Sequence, residues 1–492
     1  MNLLLNIKNI SQTIRLASAS VGIVALLLSP TLSMADTPLN EILVTADFRD
    51  ATVLSTPASV TVLNKKIIDR RQAVHLEQLL NVAPNVNFSS GASRGRFIQI
   101  RGIGERSQFI EPLNPSVGIL VDGIDFTGIA GAATTMDLQQ VEILRGPQGT
   151  LYGANALAGL VSLKANQPTG KTSGNVGLSM GRFNTQTVSA AIGGALSPAV
   201  NYRLAAQSHS SDGYVVNDFL ARDDTDDIDE RSLRALFTWQ KSDQLATKLT
   251  LFHADVDNGY DAFSLDNTRH TLSDKPGHDR QKSTAVAAET TLRGNDAYEW
   301  VALISFADSD LEYGYDEDWA FPNICAGQAC DGWAYNSEDN YARDRDNGSI
   351  DLRWVSLRPV QVFGQSADWV FGVYARNQEE QLLRQYTYLT EDFRSDFETK
   401  NRAVYGQLET HLSDELTLLT GVRFERRSAD YRDSDAVRHG VDENLWGGRV
   451  ALQYHMSPRT MLYSLISRGY KAGGVNSDSS LAPADREFDT EL

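Results

Sequence analysis

Glycine-rich runs come first in a search for chemistry, because bare backbone N–H groups can cradle a phosphate. Two stand out: Gly102-Ile103-Gly104-Glu105-Arg106-Ser107 and Arg145-Gly146-Pro147-Gln148-Gly149-Thr150-Leu151-Tyr152-Gly153. Neither fits a nucleotide site. No Gly-Lys-Ser/Thr ending follows Gly149 or Gly153, and the first run lacks the last glycine of a dinucleotide fingerprint. The acidic clusters Asp223-Asp224-Thr225-Asp226-Asp227 and Asp316-Glu317-Asp318 fall between strand-like runs, and neither carries the glycine and terminal glutamate of a calcium loop. They read as solvated loop charge, with cation capture or contact with a lipopolysaccharide surface as the second reading. Cys325 and Cys330 are the two cysteines of the chain; with no histidine between them, a small disulfide is favoured over a metal pair. No Gly-x-Ser-x-Gly, His-Glu-x-x-His or Cys-x-x-Cys occurs. The expectation is therefore no catalytic residue, no resident metal and no cofactor.

The glycine runs are held by short β-type elements. Phe97 to Ile100, Val117 to Val121 and Val141 to Leu144 are each closed by glycine, which lets the chain reverse where a Cβ would clash. Asp122-Gly123 reads as a hairpin turn, and Arg94 and Arg96, beside Gly91 and Gly95, read as solvated loop arginines that could reach an anionic ligand. The order and wording of these pieces, with Asn155-Ala156-Leu157-Ala158-Gly159 after the second run, resemble the plug domain of TonB-dependent outer-membrane receptors. The resemblance rests on Arg101, Gly102, Asp122, Gly123, Arg145, Gly146, Pro147, Gly149, Tyr152 and Gly153.

The resemblance implies a gated transporter that makes and breaks no bond. Ligand binds above the plug, and the energy-transducing protein TonB pulls on a short N-terminal segment so that the plug shifts. Glu41-Ile42-Leu43-Val44-Thr45-Ala46 resembles that TonB box; as a β-prone run it could lend a strand to a partner's sheet edge, though it could also be the plug's first strand. The resemblance also places Arg101 and Arg145 where the family pairs plug arginines with barrel carboxylates. Alternation turns Glu409 and Glu425 into the lumen, which makes them the expected partners, unless they only face lumen water.

Ahead of the box, Lys8 and Arg15, an apolar core from about Val21 to Leu28 and Ser33-Met34-Ala35 form a secretory signal peptide over residues 1–35. Export places the cysteines in an oxidising compartment. Residues 36–50 carry the box and 51–169 the plug. From 170 to 492 the chain alternates apolar and polar residues over runs of about ten, as membrane β-strands do. Leu233, Ala235, Phe237 and Trp239 oppose Arg234 and Thr238; Val422 and Phe424 oppose Arg423 and Glu425; Val450, Leu452, Tyr454 and Met456 oppose Arg449, Gln453 and His455. A soluble β-sandwich also alternates, but linkers that are by turns short and long, with aromatics near strand ends, favour a membrane barrel.

The expected fold is thus all-β with a small α+β plug inside a transmembrane antiparallel barrel. About 13 strands can be counted where plugged transporters of this kind close with about 22, so a fragment or truncated reading frame is expected. A formal charge of −18, from 45 Lys and Arg against 63 Asp and Glu, argues against nucleic acid. The expected partners are TonB, outer-membrane lipid and lipopolysaccharide, and a bulky ligand. A ferric siderophore or similar iron chelate leads; a cobalamin, an oligosaccharide, a plant-derived compound or a non-transporting surface remnant are the alternatives. No residue is singled out for ligand contact.

Overall fold

The structure is a computed structural model that describes residues 43–44, 49, 51–90, 92–106, 114–329, 336–476, 481–482 and 485–491. The expected signal peptide lies outside the described residues, as do Glu41, Ile42, Thr45 and Ala46 of the expected box.

The glycine-punctuated part of the sequence becomes a small mixed sheet. Its strands are β1 (Ser59–Asn64), β4 (Val117–Val121), β5 (Ile124–Asp125), β6 (Leu138–Arg145) and β7 (Gly159–Ala165), in the order β1-β6-β7-β4-β5. β4 and β7 run parallel and the other neighbours antiparallel. A separate hairpin pairs β2 (Val86–Ser89) with β3 (Phe97–Ile100). Helix α1 (Lys65–Arg71) starts where the Asn64 side chain accepts the Ile67 N–H, and it ends at Gln72 in the left-handed conformation. One-turn helices α2 (Glu77–Leu80) and α3 (Gly149–Tyr152) follow. Asp122 and Gly123, at φ +51° and +88°, make the tight β4–β5 turn expected of an Asp-Gly pair.

Thirteen long strands follow, each antiparallel to the next. They are β8 (Ser173–Met180), β9 (Gln186–Ser197), β10 (Val200–Ser211), β11 (Ile228–Ser242), β12 (Leu245–Tyr260), β13 (Gly277–Leu292), β14 (Tyr298–Asp316), β15 (Glu338–Ser356), β16 (Gln365–Tyr386), β17 (Phe393–His411), β18 (Leu416–Asp433), β19 (Arg438–Ser457) and β20 (Thr460–Arg468). A short extra strand, Val360–Val362, pairs with β16. Connections at one end are tight, as at Pro198-Ala199 between β9 and β10, while those at the other end include 212–227, 261–276 and 317–337. The sheet has two free edges among the described residues, at β8 and β20, and is not closed.

Alternation decides which face looks where. Leu233, Trp239, Val422, Phe424, Val450 and Leu452 are exposed on the outer face, whereas Arg234, Arg423 and Glu425 are buried on the inner one. An outer face of apolar side chains is stable only against lipid. The inner wall of β12 to β14 is lined by Phe252, Ala254, Ala285, Ala287 and Ala307, which join the plug core of Leu63, Leu79, Ile119, Ile143 and Val161 in one apolar cluster. Phe126 meets Phe252 edge-on, ring centres 5.6 Å apart. Small wall residues thus let the plug core seal directly on the strands.

Candidate functional site

The candidate site is the seam between plug and wall. Its tightest point is made by the second glycine run. Gly153, at φ +76° and ψ −152°, holds a backbone conformation open essentially only to glycine. An added Cβ there would lie 2.6 Å from Glu425 Oε2 and 3.0 Å from Arg423 Nη2. Arg423 Nε donates to Glu425 Oε2 at 2.7 Å, and Arg423 Nη1 reaches back to the Leu151 carbonyl at 3.2 Å. Asn401 Nδ2, at 2.7 Å, and the Tyr470 hydroxyl, at 3.1 Å, complete the Glu425 carboxylate. The Arg423 guanidinium also lies over the Tyr374 ring, 5.0 Å from its centre. α3 is therefore seated on a buried, fully partnered ion pair.

Further pairs surround the plug. Arg94 binds Glu230 at 2.5 Å and Glu77 at 2.8 Å, and Arg96 pairs with Asp279, which also accepts the Ser93 N–H at 2.9 Å. From the plug's acidic side, Asp122 faces Arg234 at 3.2 Å, Asp125 faces Arg376 at 3.3 Å, Asp137 takes Arg203, and Glu105 takes Lys471 at 2.7 Å. Asn347 Nδ2 and Gln281 Nε2 donate to the Asp125 and Ile129 carbonyls at 3.0 and 3.1 Å. Removing one partner of such a buried pair costs about 3–5 kcal/mol, because the other charge is stranded away from water. Glu230→Gln combined with Asp279→Asn should therefore raise amide exchange across Ser93 to Phe97 by at least tenfold, while Arg231→Gln, whose side chain is exposed, leaves it unchanged; equal exchange in the two variants would show that the pairs do not hold the plug.

The expected latch is corrected by this geometry. Arg145 donates to Ser59 Oγ and the Pro84 carbonyl, both at 3.1 Å and both within the plug. Burial, and then the charge of Arg101, push the Arg145 guanidinium below its usual value, the reverse of what a carboxylate partner would do. Arg101, at φ +55°, is exposed and its side chain makes no ion pair or hydrogen bond among the described residues. Glu425 does face inward, but its cation is Arg423, two residues earlier on the same face of β18; Glu409 is half-buried on β17, opposite Leu419 of β18 and Asp368 of β16. Period-2 alternation already placed Arg423 beside Glu425, so the strand satisfies its own carboxylate.

Arg94 and Arg96 are corrected too: they are buried tethers, not solvated loop arginines. Asp122-Gly123 is the expected turn and in addition an ion-pair partner of the wall. Of the other motif glycines, Gly146 (φ +99°) and Gly102 (φ +83°) serve turns, and nothing lies within 4 Å of a Cβ built at Gly102. Pro147 packs under Gly469, and Gly149 lies against Tyr470; Tyr152 is half-buried beside Leu151. The wall residues Arg203, Glu230, Arg234, Asp279 and Arg376 were not foreseen as partners. Their one sequence signal is a charge at inward parity.

Leu43 and Val44 of the expected box pair with Thr52 and Ala51. Val44 is fully buried against Leu144 and Leu160, and Gln140 Nε2 donates to the Leu43 carbonyl at 3.0 Å. At the opposite end, Ala92 of the β2–β3 loop sits among Tyr260, Tyr313 and Tyr341, next to the long connections. Arg384 lies 5.1 Å from the Tyr341 ring centre and 4.9 Å from that of Tyr386. Among the loop acids, Asp226 turns inward, and burial, helped by the neighbouring Asp261 carboxylate, pushes it up to about 6. Cys325 is disulfide-bonded; Cys330 lies outside the described residues.

Two family models cover nearly all of this architecture: TonB-dependent Receptor Plug Domain over residues 52–160, and TonB dependent receptor-like, beta-barrel over residues 171–486. The chain belongs to the TonB-dependent receptor family. The pesticin receptor of Yersinia enterocolitica is 25% identical to this receptor in an alignment of 430 residues that covers 81% of this chain and 58% of that protein. A vitamin B12 transporter of Vibrio cholerae is 26% identical over 205 residues, 40% of this chain and 32% of the transporter. Among solved structures, the ferric yersiniabactin uptake receptor of Yersinia pestis superposes with a TM-score of 0.73 at 19% identity, over 86% of this chain and 66% of that one. The ferripyoverdine receptor of Pseudomonas aeruginosa does so with a TM-score of 0.68 at 16% identity, over 87% and 59%. These likenesses show the shared fold, and the chain spans 58% of the length of the pesticin receptor.

Proposed function

We propose that this receptor imports a ferric siderophore or a similar iron chelate across the outer membrane, driven by TonB acting on Glu41 to Ala46. The tyrosine cluster at the tip of the plug carries the ligand reading. Around Ala92 the buried Tyr260, Tyr313 and Tyr341 back the partly exposed Tyr315 and Tyr386, and Arg384, held by Asp339 at 2.8 Å, lies against the Tyr386 ring; such an aromatic rim suits a bulky, ring-containing chelate. The shared fold with the yersiniabactin and ferripyoverdine receptors supports the same class. Uptake of a cobalamin is the second reading, favoured by the likeness to a vitamin B12 transporter over 40% of the chain.

Radiolabelled ferric chelates and cyanocobalamin, offered to cells with and without the gene, separate the two. Gene-dependent iron uptake that disappears in cells lacking TonB is the expected result. Gene-dependent cobalamin uptake with no iron uptake would replace the first reading by the second, and uptake that persists without TonB would remove the energised mechanism.

A further inference from the structure

On the outer face of the barrel, Arg402 of β17 stands directly opposite Arg426 of β18 in the ladder, and both side chains are exposed. Like charges in directly opposed positions destabilise a strand pair. Neither is neutralised closely by protein. Arg402 has no ion pair or hydrogen bond among the described residues, and Arg426 has one loose partner, Asp442 at 3.6 Å, itself exposed. One row further along, Lys400 pairs with Glu398 at 2.5 Å, so the strands can place an acid beside a cation and have not done so for Arg402.

The two arginines line a groove of about 670 Å³ together with the apolar Leu352, Val373, Val404, Phe424 and Trp446, and with Asn444 beside Arg426. Phe424, Trp446 and Val404 are among the most exposed apolar side chains of these strands. Arg402 lies nine residues from the tight-turn end of β17 at His411. With a rise of about 3.3 Å per residue and a tilt near 40°, that is about 23 Å up, near the top of an apolar band about 25 Å tall. Beyond this row the outer face turns acidic at Glu379, Glu398 and Asp430. The arginines thus mark the interface where acyl chains end and headgroups begin.

We propose that Arg402 and Arg426 bind a phosphate of lipopolysaccharide, the phosphorylated and acylated glycolipid of the outer leaflet, with its acyl chains laid along the Val373–Val404–Phe424–Trp446 groove. A phosphate between two guanidiniums removes their mutual repulsion and makes charge-assisted hydrogen bonds to both. The apolar groove explains why the partner is a lipid and not a free anion. The inference rests on the outer-membrane location of the barrel and not on transport.

The receptor is extracted from outer membranes in mild detergent, and bound lipid A is measured by mass spectrometry of its 3-hydroxy fatty acids. Arg402→Gln/Arg426→Gln should lower bound lipid A by about fivefold or more, whereas Arg402→Lys/Arg426→Lys should retain most of it. The control Arg231→Gln/Arg432→Gln removes two exposed arginines that have acid partners at 2.9 and 3.0 Å, and should change nothing. Unchanged lipid A in the first variant, or an equal fall in the control, would overturn the assignment. So would full displacement of lipid A by phosphatidylglycerol micelles, since the groove would then accept any anionic lipid. Uptake does not enter the readout, so failure here leaves the transport reading standing.

Discussion

Gly153→Val is expected to unseat the plug, and cells carrying it should admit a bulky antibiotic that the parent excludes. Two effects act at one atom. The conformation at φ +76° and ψ −152° costs a non-glycine residue about 1–3 kcal/mol. The new Cβ then sits 2.6 Å from Glu425 Oε2, so the carboxylate must leave Arg423 or the plug must lift. Displacing a buried ion pair costs about 3–5 kcal/mol, and a loss of about 3 kcal/mol or more is expected once partial relaxation is allowed. Gly102→Val is the discriminating control. Its φ of +83° is likewise positive and disfavours a side chain, but nothing lies within 4 Å of its Cβ. Amide exchange over Gly149 to Ala156 and antibiotic influx should therefore respond strongly to the first change and weakly to the second. Equal responses would mean that the close approach to Glu425 is not what seats α3.

Removing Glu41 to Ala46 should reduce uptake to the level of cells lacking TonB, while ligand bound at the cell surface stays within about twofold. The tyrosine cluster around Ala92 and the Leu43–Val44 strand share no residue and sit in separate clusters, so binding on the tyrosine side does not need the deleted residues. The described part of this segment is parked: Val44 is buried, and two residues pair with Ala51 and Thr52. Burying a valine is worth about 1.5 kcal/mol and each hydrogen bond about 1 kcal/mol. Release therefore costs about 3 kcal/mol, an amount that strand addition to a partner can offset. Val44→Pro removes one backbone donor from both the parked and the partner-bound strand, and should give the same phenotype. Uptake that survives either change would make Leu43–Val44 a plain plug strand; loss of surface binding in both would mean that the segment holds the fold and not the coupling.

Local patterns were legible from the chain alone where one residue's own chemistry decides the outcome. Asp122-Gly123 reverses the chain because those residues tolerate positive φ, and Val422, Arg423, Phe424 and Glu425 take opposite faces because a strand alternates. The count of about 13 strands followed from the same alternation, and the plug from the resemblance of its glycine-punctuated motifs. Partnership did not. Arg94 and Arg96 look like any loop arginines until the fold brings Glu230 and Asp279, 136 and 183 residues away, beside them. Arg145 and Glu425 carry the right charges for each other, yet the plug turns Arg145 toward Ser59 and Pro84 while Arg423 claims Glu425. Sequence determined which residues face the lumen and where the chain must turn, since both depend on neighbours within a few positions. Which charge meets which was decided only by tertiary structure, because that choice depends on how the plug is rotated and seated against the wall.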